Sequence, residues 1–191
     1  MFKGVSIKLP LLAFLFFLNF ATVSFANLYF ADPIKSVISF EVKQFKFDQV
    51  KGFFQAYTII VDYDDELNTI NRIEAKIDPN SVISGNTIRD RHLRSDKFFD
   101  IINYPDILFI VNNSFDRKTR EVEGQLSLKD KKQMLTVNYD WVDNVKEDNI
   151  NFKVVTTAFT IKRHDFNVSG YPFLIEDEVL ISLKLYLRPN R

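Results

Sequence analysis

The sequence predicts an all-β fold: an antiparallel meander of about eight strands closed into a barrel, with one short helix in a long connection. Apolar residues recur at every second position along most of the chain, and short polar segments separate these runs. Helical spacing is confined to a single segment. Successive strands joined by polar turns favour a barrel, although a sandwich would show similar alternation.

The first run carries Ile34, Ile38, Phe40 and Val42 on one face, and Val50–Asp62 and Ile70–Asp78 follow, separated by Asp64-Asp65-Glu66. The pattern then changes. Asn86 to Phe99 holds helix formers and charges, with Asn86 or Thr87 as N-cap and Asp90 near the positive helix start. Asp90 and Arg94 lie four apart and are the expected ion partners. Tyr104-Pro105 closes this connection, since proline disfavours helix in the residue before it. Strands resume at Ile107–Phe115, and Asp116-Arg117-Lys118 marks a turn. Val122, Leu126 and Leu128 then alternate with Glu121, Glu123, Gln125 and Ser127, and Leu135, Val137, Tyr139 and Trp141 with Thr136, Asn138 and Asp140. The polar stretch Asn144 to Asn149 leads to Ile150–Thr160. The clearest strand is last, where Val179, Ile181, Leu183, Leu185 and Leu187 alternate with Ser182, Lys184, Tyr186 and Arg188.

The N-terminus reads as a secretory signal. Met1, Phe2, Lys3 and Lys8 form a basic start, Leu11 to Phe20 is almost wholly apolar, and Ser24-Phe25-Ala26 is small at both cleavage positions. Cleavage after Ala26 is therefore expected, with a single domain over residues 27–191. The stretch Leu9 to Ala26 approaches the roughly 18 to 20 residues of a membrane span, so an uncleaved anchor is the other reading. Without the leader the 25 basic residues become 23 against 25 acidic, which argues against a nucleic-acid partner. The 191 residues include no cysteine, so export brings no disulfide and no lipid attached at a cysteine.

Catalytic and metal motifs are sparse. His92 and His164 are the two histidines, and no convergent set of zinc ligands accompanies them. There is no Gly-x-Ser-x-Gly elbow, and five glycines leave no phosphate-cradling loop. His92, beside Arg89, Asp90, Arg91 and Arg94, can be an anchor tying the helix to the barrel. It can also contact a ligand head group with the arginines through charge-assisted hydrogen bonds, or act as an acid–base residue.

Asn86-Thr87-Ile88-Arg89-Asp90-Arg91-His92-Leu93-Arg94-Ser95-Asp96-Lys97-Phe98-Phe99-Asp100, followed by Tyr104-Pro105 and Phe109, closely resembles the YceI family. The likeness extends to Asp32-Pro33 with Ser36, Ile38 and Phe40, and to Val50-Lys51-Gly52-Phe53-Phe54. It continues through Gly124-Gln125-Leu126-Ser127-Leu128 and Arg163-His164-Asp165-Phe166. The chain departs from the family's usual turn at Lys129-Asp130-Lys131-Lys132-Gln133-Met134, and no role of that turn is carried over. Ser169-Gly170-Tyr171-Pro172-Phe173 need not match the usual loop either.

The resemblance implies an extended lipocalin-like barrel of eight antiparallel strands, exported to the periplasm, with a polyisoprenoid lipid in its interior. Fourteen of the 20 phenylalanines lie beyond the leader, and an eight-stranded barrel can be filled by its own side chains or hold a ligand. Composition does not choose; the resemblance favours the cavity. Its expected apolar lining is Phe40, Val42, Phe54, Phe99, Phe109, Val137 and Trp141. Arg89, Asp90, His92 and Arg94 are the expected head-group or lid residues. The function read from this is a carrier or buffer for a polyprenyl phosphate or an isoprenoid quinone, with no catalytic residue, metal or other cofactor. That reading leaves room for transient contact with a membrane surface and for a homodimer. The alternatives are an enzyme acting on an isoprenoid lipid with His92 and Asp90 as acid–base pair, and a ligand-free stress or interaction protein with a filled barrel.

Overall fold

A computed structural model describes residues 27–45 and 48–189. The expected signal peptide, residues 1–26, lies outside the described residues. Those described form thirteen strands: β1 (Asn27–Ala31), β2 (Val37–Gln44), β3 (Asp48–Phe54), β4 (Tyr57–Asp64), β5 (Thr69–Ile77), β6 (Val82–Ile83), β7 (Ile107–Val111), β8 (Phe115–Asp116), β9 (Glu121–Leu128), β10 (Lys131–Asn138), β11 (Asp140–Glu147), β12 (Ile150–Lys162) and β13 (Ile175–Pro189). One α-helix, α1 (Thr87–Arg94), lies between β6 and β7.

The thirteen strands are segments of eight longer runs: 27–44, 48–64, 69–83, 107–116, 121–128, 131–147, 150–162 and 175–189. Each run is antiparallel to the runs before and after it in the chain. β2 lies on β3 and β1 on β4, β4 on β5, β5 on β7, β7 on β9, β9 on β10, β11 on β12, and β12 on β13. The circuit then closes. β13 pairs with β2, placing Ile181 opposite Phe40, and with β1, placing Phe30 opposite Arg188. Among the described residues, some stretches keep an unpaired side, including β10, whose partner is β9, and residues 48–52 of β3, since β6 reaches only Phe53 and Phe54.

The bends have identifiable polar causes. The Asp32 carboxylate accepts the N–H groups of Ile34 (2.9 Å) and Lys35 (3.1 Å), which turns the chain between β1 and β2. Ile34, expected on the inward face, is therefore in that turn and 92% exposed. The run expected at Val50–Asp62 breaks at Gln55 and Ala56, whose N–H groups both donate to Ser81 Oγ (3.1 and 3.0 Å). In the run 131–147, the first half pairs with β9 and the second with β12. Tyr139 marks the change, its N–H donating to the Arg120 carbonyl (2.9 Å).

α1 starts where expected: Asn86 is the N-cap, accepting from the N–H groups of Ile88 and Arg89 (both 3.0 Å). It ends at Arg94, five residues short of the expected Phe99. The chain turns there so that Phe98 is buried and Phe99 packs on the core. The expected Asp90–Arg94 ion pair does not form. Asp90 accepts from Ser84 N–H (2.8 Å) and Oγ (2.5 Å), whereas Arg94 donates to the carbonyls of Asn80 (2.8 Å) and Val82 (2.7 Å). Both charges thus tie the helix to the segment 80–84, where fixed backbone dipoles outcompete a solvent-screened i,i+4 pair.

Candidate functional site

The alternation that builds the wall also builds the site. Along β9, Val122, Gly124, Leu126 and Leu128 are buried while Glu121, Glu123 and Gln125 are exposed. Repeated around the barrel, this gives an apolar interior. It is not filled: a cavity of about 510 Å³ runs inside the wall. Phe40, Val42, Phe54, Phe99, Phe109, Val137 and Trp141 all line it, together with aliphatic residues such as Ile59, Val61, Ile73, Leu126, Ile181 and Leu185. Phe40, Phe54 and Phe99 form a cluster with ring centroids 5.6 to 6.4 Å apart.

Among the lining residues, the exposed ones are Asn86, Ile88, His92 and Tyr171. They locate the mouth at the α1 end. Arg89 also lines the cavity, its Nε donating to Ser84 Oγ (2.8 Å) and its NH2 to the Ser84 carbonyl (2.7 Å). His92 packs its ring on Tyr171, centroids 5.9 Å apart. Of the four expected head-group or lid residues, Arg89 and His92 are therefore at the mouth. Asp90 is buried against Ser84, and Arg94 serves the backbone of residues 80–82. His92 and Asp90 are two positions apart, so they do not share a helix face and do not form an acid–base pair.

Sequence reasoning missed Arg163. It is buried, and its guanidinium donates to four carbonyls: Glu176 (3.0 Å), Val168 (2.8 Å), Gly170 (2.9 Å) and Ile175 (3.0 Å). Burial pulls its pKa below the usual arginine range, but the four acceptors hold the charged form in place. They shape the loop that carries Tyr171. His164, beside it, meets Asp177 at 2.6 Å. The segment that departs from the usual family turn also supports this end. Lys129 Nζ donates to the carbonyls of Asp96 (2.8 Å) and Asn167 (2.9 Å), and Asp130 accepts from Asn167 Nδ2 (2.8 Å).

A charged cluster, which was also missed, sits behind the cavity-lining Trp141. Lys153 Nζ lies 2.7 Å from Asp65 and 3.3 Å from Asp143, and Arg117 lies 3.2 Å from Asp143. The Tyr29 hydroxyl donates to Asp65, and Trp141 Nε1 donates to Asp143 (2.8 Å). Arg117 stacks over Tyr63 and Trp141, and Lys153 over Tyr29 and Tyr63. Burial pushes the Tyr29 hydroxyl well above the usual phenol range, and the Asp65 carboxylate adds to the shift. Burial also pushes Asp143 upward, but the Trp141 hydrogen bond, Lys153 and Arg117 outweigh it and leave the carboxyl below its usual range. The cavity therefore has an apolar body and a polar mouth at α1, with the charged cluster behind Trp141 and outside its lining.

The family model for the YceI-like domain matches residues 29–187. The chain belongs to the YceI-like domain family. A UPF0312 protein of Staphylococcus epidermidis is 28% identical over 141 residues, covering 72% of this chain and 80% of that protein. One from Staphylococcus aureus is 26% identical over the same coverage. Among solved structures, the fold matches BcnA of Burkholderia cenocepacia with a TM-score of 0.71 and 24% identity, over 82% of this chain and 98% of that one. A polyisoprenoid binding domain from Saccharophagus degradans, implicated in plant cell wall breakdown, matches with a TM-score of 0.65 at 16% identity, over 85% of this YceI-like chain and 98% of that one. These likenesses establish the lipocalin-like all-β fold of the YceI-like domain.

Proposed function

We propose that this protein is exported to the periplasm and there carries or buffers a long apolar isoprenoid lipid, with the chain inside the barrel and the head group at the mouth. The observation that carries this reading is the cavity of about 510 Å³, whose body is apolar and whose exposed lining lies at one end. Each buried CH₂ contributes about 0.8 kcal/mol, so one five-carbon isoprenoid unit contributes about 4 kcal/mol and the hydrocarbon needs no polar anchor. The mouth supplies selectivity instead. Asn86, Arg89 and His92 offer donors suited to a phosphate or to quinone carbonyl oxygens. The polyisoprenoid-binding protein of Saccharophagus degradans, alike in fold, points to the same ligand class.

An enzymatic reading would need an acid and a base facing a substrate. Asp90 is engaged by Ser84, away from His92, so the geometry favours binding over turnover. The test is to purify the protein from a periplasm without detergent, extract it with organic solvent and identify the lipid by mass spectrometry. A stoichiometric polyisoprenoid is the expected result. A protein that carries none and takes up none when offered polyprenyl lipids would overturn the reading.

A further inference from the structure

The rim of the mouth carries apolar side chains that the barrel leaves uncovered. Phe173 is 98% exposed, Ile88 62% and Phe45 52%, and Tyr171 and Leu174 are exposed as well. They are neighbours. The Phe45 N–H donates to the Leu174 carbonyl (2.9 Å) and the Leu174 N–H to the Tyr171 carbonyl (3.0 Å). Tyr171 packs on His92, one helical turn from Ile88. Ile88 and Tyr171 also line the cavity, so this outer patch is continuous with the apolar interior. Single exposed apolar side chains need no explanation, but five gathered at one opening mark an interaction surface.

The charges beside the patch identify the partner. α1 carries Arg89, Arg91, His92 and Arg94 against one acid, Asp90, which is buried on Ser84. Lys97 is exposed next to the rim, its carbonyl accepting from the N–H groups of Ser169 (3.1 Å) and Gly170 (2.9 Å). Of the acids nearby, Glu176 faces Lys43 at 3.9 Å and Asp177 meets His164, while Asp48, Asp96 and Asp165 are exposed on the sides of the rim away from Arg91 or beside Lys97. An apolar rim flanked by cations fits the boundary of an anionic phospholipid bilayer, where rings enter the acyl edge and cations meet phosphates.

We propose that the barrel mouth docks on an anionic bilayer surface, with Phe173, Ile88 and Tyr171 in the interface and Arg91 and Lys97 on the head groups. The purpose of docking rests on the carrier reading: the lipid passes between bilayer and cavity without crossing water. Docking itself is measured separately. The purified protein is sedimented with vesicles of phosphatidylcholine alone and of phosphatidylcholine mixed with phosphatidylglycerol. It is expected to pellet with the mixed vesicles, less so at about 1 M salt, where screening shortens to about 3 Å. Phe173→Ser lowers partition at least about tenfold without lowering Tm, because the residue is exposed. Arg91→Glu lowers it at least about fivefold on the mixed vesicles only.

Wild-type protein that fails to pellet, or a Phe173→Ser variant that pellets equally well, overturns the proposal. So does a solution dimer that Phe173→Ser dissociates, since a second copy would then cover the rim. Lipid extraction of the same variant separates the two ideas. Cargo retained with docking lost upholds both carrier and docking surface, whereas docking without any cargo in the wild type removes the carrier alone.

Discussion

Arg163 concentrates much of the mouth's order in one side chain. A guanidinium presents five donors in a fixed fork, and here four carbonyls from residues 168–176 take four of them. Arg163→Ala would leave these acceptors short and is expected to cost about 3 kcal/mol in urea unfolding. Arg163→Lys should recover only part of this, because an ammonium cannot span four acceptors. In the charged cluster behind Trp141, Asp143 has a pKa below its usual value, so its contribution to stability is fully present above the unfolded pKa of 3.8 and is lost as pH falls through the folded pKa. Thermal unfolding between pH 7 and pH 3 should therefore show an acid-limb loss that Asp143→Asn flattens. The variant itself should lower Tm at pH 7 by only a few degrees, since solvent screens a partly exposed site. Neither Arg163 nor Asp143 was legible in the sequence, because spacing along a strand does not reveal which loop carbonyls or distant charges converge on one side chain. Six of the seven expected cavity residues were legible for the opposite reason, since each lies on the inward side of an alternating run; Phe99 reaches the cavity from the turn after α1 and carried no such periodic signal.

At the scale of elements, the alternation predicted the runs and their faces, and the bends between paired segments were hidden. They depend on Ser81 meeting Gln55 and Ala56, and on Asp32 turning its own neighbours, contacts with no periodic signature. The helix start was legible through Asn86, a local cap. Its end was not, since it is set by burying Phe98 beneath the 169–171 loop. The wall also relies on close approach between strands. A Cβ on Gly124 would overlap the ring of Phe109 from the neighbouring strand, and one on Gly52 would overlap Phe40. Gly124→Ala should accordingly push the Phe109 ring into the cavity. The expected cost is about 1 kcal/mol, less than overpacking a solid core, together with weaker lipid uptake. Unchanged uptake with a crystal structure showing Phe109 in place would contradict this account of the wall.

For the whole molecule, the deciding property is that the wall encloses a cavity of about 510 Å³. Ala75 lines the cavity on β5, opposite Phe109 on β7, so a larger side chain there is expected to enter the cavity. In a solid core Ala75→Phe would overpack and destabilise by about 1 to 3 kcal/mol. In this barrel it should fill part of the cavity, leave the lipid-free Tm equal or higher, and abolish stoichiometric lipid. The wild type should behave in the converse way. Its Tm should rise on loading, because a ligand that binds only the folded state adds RT ln(1 + [L]/Kd), about 2.7 kcal/mol at a hundredfold excess over Kd. Calorimetry of wild type and Ala75→Phe, each with and without extracted lipid, makes the comparison. If the two proteins load lipid equally and Ala75→Phe melts lower, the space inside the barrel is not where the ligand sits.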